Sequence, residues 1–326
     1  MFALSTSCYD LAQGSPQALC RFLKENAIPQ VELEYRIPRP VLPQLKADLK
    51  AAGISTVSVH NICPRCDDTP PGIPANTFFH LAHLDPEIRR RALELTRGTL
   101  ELAHELEARA VVLHGGHVEM SNDCGLMKGI YDQGRIDTPQ AQELRETQAA
   151  VRRRHLPPHR DALFFSLEAL AAAADRYGVV LGLENRFYFH QLPGLDEFKE
   201  IFRKFAGAPL GYWHDSGHAW VNKQLGYLAP GELPDTLESH LVGMHLHDSR
   251  GLDDHLPPGS GEMELGSLMT RLPAGAPLVM ELAPGTPLDQ VAQGAAWVRK
   301  HLTHKPLSGA PEGPQGKDPA AEDRRP

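Results

Sequence analysis

The sequence predicts an α/β protein folded as a closed (β/α)8 barrel, and two observations carry that expectation. Short β-rich runs alternate with helical patterns along most of the chain, the signature of βα units around a parallel sheet. Nearly every run also ends at or near a histidine or a carboxylate, and a parallel barrel is the arrangement that gathers all its strand ends at one mouth. The rival, an open doubly wound sheet, calls for a glycine-rich phosphate loop after the first strand, and none follows here.

Eight strands are expected, at Phe2–Ser7, Gln30–Glu34, Ile54–His60, Ala110–His114, Val179–Glu184, Leu210–His214, Leu241–His247 and Leu278–Leu282. Helices lie between them. In Pro86–Leu106, Ile88, Leu93, Leu95, Leu100 and Leu102 give an apolar stripe on a charged background. The alanine-rich Leu163–Tyr177 ends at Gly178, a C-cap residue. Glu119 to Arg160 reads as an insertion between the fourth strand and its helix. It holds a helical piece, Pro139–Arg154, and a breaker, His155-Leu156-Pro157-Pro158. An insertion there stands at the mouth, where it serves as a lid, a substrate wall or a solvated excursion. Residues 1–304 form the expected TIM-barrel domain. Residues 305–326, rich in proline, glycine and charge, read as a disordered tail.

The chain of 326 residues is 41% hydrophobic and 23% charged, enough for a sizeable core in an ordinary soluble protein. A net charge of −8 argues against a general binder of duplex nucleic acid or anionic membrane. No run reaches the roughly 18 apolar residues of a membrane span, and Met1–Cys8 lacks a signal-peptide pattern. The cytoplasm is therefore the expected compartment. Five cysteines, an odd number, argue against a disulfide framework, and Cys63-Pro-Arg-Cys66 reads as loop thiols.

Nine potential metal ligands follow the β-rich runs: His60, His114, Glu184, Asp215, His218, His245, Asp253, His255 and Glu281. Imidazoles mixed with carboxylates suit a borderline divalent cation. Glu184 and Glu281 each end a buried run, where a carboxylate needs positive compensation. In Trp213-His214-Asp215-Ser216-Gly217-His218, Asp215 and His218 can face one ion while His214 points away. His245 and His247 share a strand face; His245 is taken as the ligand and His247 as the weaker candidate. In an extended loop Asp253 and His255 point the same way and Asp254 points out.

These residues resemble the xylose isomerase-like TIM barrels, a superfamily that includes sugar-phosphate isomerases and epimerases and endonuclease IV (AP endonuclease family 2). The resemblance spans nearly all of residues 1–303. It implies one divalent ion on Glu184, Asp215, His245 and Glu281, as in the isomerase branch. It also implies the further endonuclease-type ligands His60, His114, His218, Asp253 and His255, for three zinc ions in all. The segment from Asp253 to Gly261 is similar to that branch's Asp-x-His loop before Gly-x-Gly. Two departures stand out. Asn61-Ile62-Cys63-Pro64 lacks the bulky wedge that opens DNA, and His114 precedes Gly115-Gly116 rather than Pro-Gly.

Two functions follow. The first is a metal-dependent isomerase or epimerase of a sugar, sugar phosphate or polyol. Glu184 and Glu281 would move the proton, with one to three ions, zinc or manganese, at the site. His218 and Arg250 would hold substrate oxygens, and Trp213 and Phe187 would form an apolar wall. The second is metal-assisted hydrolysis of a small phosphoester. Both take a small-molecule partner, and the outer helices of a barrel offer surfaces for a homodimer.

Overall fold

The computed structural model describes residues 1–121 and 124–302. The expected tail at 305–326 lies outside the described residues. The strands are β1 (Ala3–Ser5), β2 (Gln30–Leu33), β3 (Ser55–His60), β4 (Ala110–Leu113), β5 (Gly116–His117), β6 (Val180–Glu184), β7 (Gln191–Leu192), β8 (Leu210–Asp215), β9 (Leu241–Leu246), β10 (Asp248–Arg250), β11 (Asp253–Leu256) and β12 (Leu278–Met280). Eight of them close a barrel in the order β1-β12-β9-β8-β6-β4-β3-β2, every pair parallel. These are the eight expected strands, with ends that differ by a few residues from the sequence runs. The other four form two small antiparallel pairs, β5 with β7 and β10 with β11.

The helices start where local chemistry directs. Asp85 caps Pro86–Glu105 by accepting from the Glu87 and Ile88 amides at 2.8 and 3.4 Å, and Pro86 suits the first turn. Gly178, at φ 66°, ends the helix before β6, and its N–H returns to Ala174 and Asp175. The expected break at Pro157-Pro158 does not occur: one helix runs from Pro139 to Tyr177. The prolines release the carbonyls of Arg153 and Arg154, both exposed residues, so water can take the two lost bonds. Burial on both sides holds the helix together. Ala141 and Gln148 are covered before the prolines, and Leu163, Leu167, Leu170 and Ala174 after them. The inserted half packs with Met127, Ile130, Val221 and Leu225 in a satellite core beside the barrel.

The barrel interior is filled by Ala3, Val57, Ala110, Val112, Trp213 and Val279. Trp213 is fully buried and dominates this layer. It fits because Gly182 and Gly243 face it; a Cβ on either would strike the indole. Trp213 is thus a core residue and not the substrate wall expected from sequence. It shares the inward face of β8 with Asp215 and lies one layer deeper than that carboxylate, because i and i+2 point the same way. Among the described residues no helix is long and apolar enough to cross a membrane.

Candidate metal centre

The C-terminal ends of the barrel strands bring the expected ligands together. His60 ends β3, His114 follows β4, Glu184 ends β6, Asp215 ends β8, His245 lies near the end of β9 and Glu281 follows β12. Glu184, Asp215, His245 and Glu281 place their ligand atoms within 4.8 Å of one another, all buried. His60, His114 and Glu184 form a second group, His218, Asp254 and His255 a third, and Asp215, His247 and His255 a fourth. Glu184 belongs to two of them, with Oε2 3.0 Å from His114 Nε2.

At the centre, His245 Nδ1 lies 2.7 Å from Glu184 Oε1, 2.9 Å from Glu281 Oε2 and 3.7 Å from Asp215 Oδ2. Its Nε2 faces Glu32 at 3.1 Å, and Glu32 also accepts from Ser58 Oγ at 2.8 Å. Burial would press the His245 imidazolium down, but Glu281 and Glu32 hold it well above its usual range. Burial would likewise raise Glu281, yet His245, His255 and His60 keep its carboxyl well below the carboxylate range. Four buried carboxylates, Glu32, Glu184, Asp215 and Glu281, therefore crowd a site whose permanent cations are Arg186, paired with Glu184, and, at the cavity wall, Arg36, paired with Glu34. Burial lowers Arg186 to about 10, with Asp215 and Glu281 acting in the opposite direction.

This donor set fits a divalent cation on two grounds. Buried negative charge in such excess is costly without a positive partner. Two histidines are also oriented as ligands are: His60 Nδ1 donates to Asn61 O and His218 Nδ1 to Asn185 O, both at 3.0 Å. A carbonyl on Nδ1 leaves each Nε2 lone pair for an ion. Burial keeps His60, His114 and His218 neutral, with His218 lowered to about 4.

Asp253 stands at the rim of the site, Arg250 and Phe187 stand outside it, and Asp254, Arg186, Glu32 and His247 take part in it. Asp253 is exposed at the rim, while Asp254 Oδ2 lies 3.9 Å from His218 Nε2 and its Oδ1 lies 3.0 Å from His255 Nδ1. His255 has φ 57°, which breaks the extended alternation and turns Asp254 inward. Arg250 is exposed and donates to Ser260 O at 2.6 Å; Arg186 lines the cavity instead. Phe187 is half-buried, edge-on to His218 at 6.0 Å, and packs in the satellite core. Beyond Asp254 and Arg186, the site gains Glu32 and uses His247, the weaker candidate of the His245/His247 pair. His247 Nδ1 accepts the His255 N–H at 2.8 Å, so Nε2 carries the proton and donates to Asp215 at 3.1 Å. His247 therefore ties the Asp254–His255 loop to Asp215. A charged residue inside the Val-Glu-Leu run signalled Glu32; the His245/His247 alternation signalled His247.

The groups open into a cavity of about 380 Å3 lined also by Tyr35, Arg36 and Ser7. Arg36 is anchored on the buried Glu34 at 2.7 Å.

Solved structures share this architecture. A D-tagatose 3-epimerase-like protein is 18% identical with a TM-score of 0.65, covering 93% of this chain and 97% of that one. The 3-keto-D-glucoside 4-epimerase of E. coli is 16% identical with a TM-score of 0.65, covering 92% and 98%. A protein of Thermus thermophilus, soaked with ZnCl2, is 22% identical with a TM-score of 0.57, covering 92% and 98%. An uncharacterized protein of Methanocaldococcus jannaschii is 25% identical over 198 residues, 59% of this chain; the match spans 55% of that protein's length. Residues 21–301 match the family described as xylose isomerase-like TIM barrels, and the chain belongs to that family.

Proposed function

We propose that the protein is a metal-dependent isomerase or epimerase of a sugar, sugar phosphate or polyol, with Glu184 and Glu281 as its proton-transfer pair. The observation that carries this reading is the placement of both carboxylates around one point, 2.7 and 2.9 Å from His245 Nδ1, at the base of an open cavity. A bound divalent ion supplies polarisation of a substrate carbonyl and its neighbouring hydroxyl. Glu184, Asp215, His245 and Glu281 would hold that ion, and the other three groups, which overlap, offer places for further ions. One glutamate accepts a proton from the carbon beside the carbonyl and the other returns one. Arg186 and His218 are placed to orient substrate oxygens, and Tyr35 and Arg36 border the entrance. The epimerase names of the structural neighbours support the same chemistry, and the zinc-soaked neighbour supports a metal.

The test is solvent exchange. Ketohexoses, ketopentoses and their phosphates incubated in D2O with metal-loaded protein should take up deuterium beside the carbonyl. Glu184→Gln should stop that uptake while metal content stays near normal. Uptake at the wild-type rate in that variant would remove Glu184 from the role. A second reading, phosphoester hydrolysis, is favoured by the convergence of four overlapping ligand groups on one mouth. It predicts cleavage of bis(p-nitrophenyl) phosphate, lost in His60→Ala or His114→Ala.

A further inference from the structure

A second cavity of about 500 Å3 adjoins the metal centre. Arg186 lines both spaces and stands between them. The inserted half of helix Pro139–Tyr177 walls the second cavity through Ala149, Arg152 and Leu156, opposite the start of helix Leu195–Lys204.

The lining has a definite chemistry. Phe189 and Tyr227 stack with ring centres 4.5 Å apart and planes at 15°, and the Arg152 guanidinium lies 5.6 Å from the Phe189 ring. Tyr188, 38% exposed, adds another ring to the same wall. Beside this flat surface are donors without net charge. Arg152 is held by Glu197 at 2.7 and 3.0 Å and Arg186 by Glu184, so each guanidinium is already neutralised. Each also keeps an Nε–H with no acceptor among the described residues. Over the whole lining, four cationic side chains face four acidic ones. A phosphate would need a surplus of positive charge. A neutral ring with hydroxyls needs an apolar face and scattered donors, which is what this wall offers.

We propose that this cavity is a subsite for a second, neutral ring, so that the substrate is a glycoside or a comparable two-ring polyol. The reacting sugar sits at the metal centre, and its partner ring passes Arg186 into the subsite. The proposal rests on the sugar reading above and names its substrate class. The insertion, on this account, is a specificity wall.

The experiment is calorimetric binding to the full-length, Mn2+-supplied protein. The probes are D-glucose, D-glucose 6-phosphate, cellobiose, maltose and phenyl β-D-glucopyranoside. At least one two-ring probe should bind 10-fold or more tightly than both glucose and its phosphate. Ala149→Trp, which fills the subsite from the helix side, should erase that advantage while metal content is unchanged. A variant that fails to fold is recognised by its lost metal content; Tyr188→Ala then stands in and should also erase the advantage. Equal binding of one-ring and two-ring probes overturns the subsite and leaves the sugar reading standing. Tighter binding of the phosphate overturns it in favour of an anion pocket. No binding by any probe overturns the subsite, and the solvent-exchange test above decides the sugar reading separately.

Discussion

At the mouth of the barrel, His60, His114, His218, His245, His247 and His255 stand among carboxylates. Near the β5–β7 pair, His80, His83, His117, His159 and His190 gather without an ion pair among the described residues. The side group is close: the His80 ring lies 4.2 Å from that of His117 and 4.9 Å from that of His83, and His117 lies 5.8 Å from His190. Yet the convergent donor groups found among the described residues are all at the mouth. In the side group, burial and then neighbouring imidazoles push His80 down to about 2 and His190 to about 4. At the mouth, burial acts the same way on His60, His114 and His218. Two rings escape it: Glu281 and Glu32 hold His245 well above its usual range, and Asp254 lifts His255 to about 9, whereas His114 stays low beside Glu184 because Arg186 and the neighbouring imidazoles add to burial. Clustering imidazoles in a dry place makes them neutral. A cation site needs the oxygens as well.

The contrast can be broken most severely at the glutamates. Glu184→Gln should lower turnover by about 10²–10⁴-fold, the usual range for losing a general acid or base. Glu32→Gln tests the support beneath His245. Metal affinity should weaken by about 10–100-fold, read by competition with a chelator of known affinity. Asp254→Ala should then reduce the bound ion count in elemental analysis, whereas Asp253→Ala should leave it unchanged; the reverse pattern would restore Asp253 as the ligand.

The smallest effect lies in the side group. His80 stays neutral in the folded protein down to about pH 2, against an ordinary value of 6.5. Above pH 6.5 neither state is protonated and its contribution to stability is complete. As the pH falls further, the unfolded chain takes up a proton that the folded one refuses, and stability declines toward pH 2. By pH 5 the loss is about 2 kcal/mol. His80→Leu should therefore show a smaller drop in Tm between pH 7 and pH 5 than the wild type, with metal content untouched. A drop of equal size would show that His80 is solvated in the native state.

Much of this was legible in the residues. Val-Val-Leu-Gly-Leu-Glu and Pro-Leu-Val-Met-Glu each announce a strand and deliver a carboxylate to its end. The same period-two rule places Trp213 on the inward face with Asp215, so its burial could have been read from alternation. The insertion was legible as an insertion, but the helix through Pro157-Pro158 was not. It survives because of what its two ends bury, which local propensity does not contain.

By itself, then, the chain determined the barrel and the set of side chains at its mouth, because strand ends and periodicity are local properties written in residue order. Only the tertiary structure decided which of two candidates turns inward. Asp254 rather than Asp253 depends on one backbone angle at His255, and Arg186 rather than Arg250 on which loop the closed barrel draws over the site. It also set the second cavity beside the first, where Arg152 of helix Pro139–Tyr177 meets Glu197 of helix Leu195–Lys204.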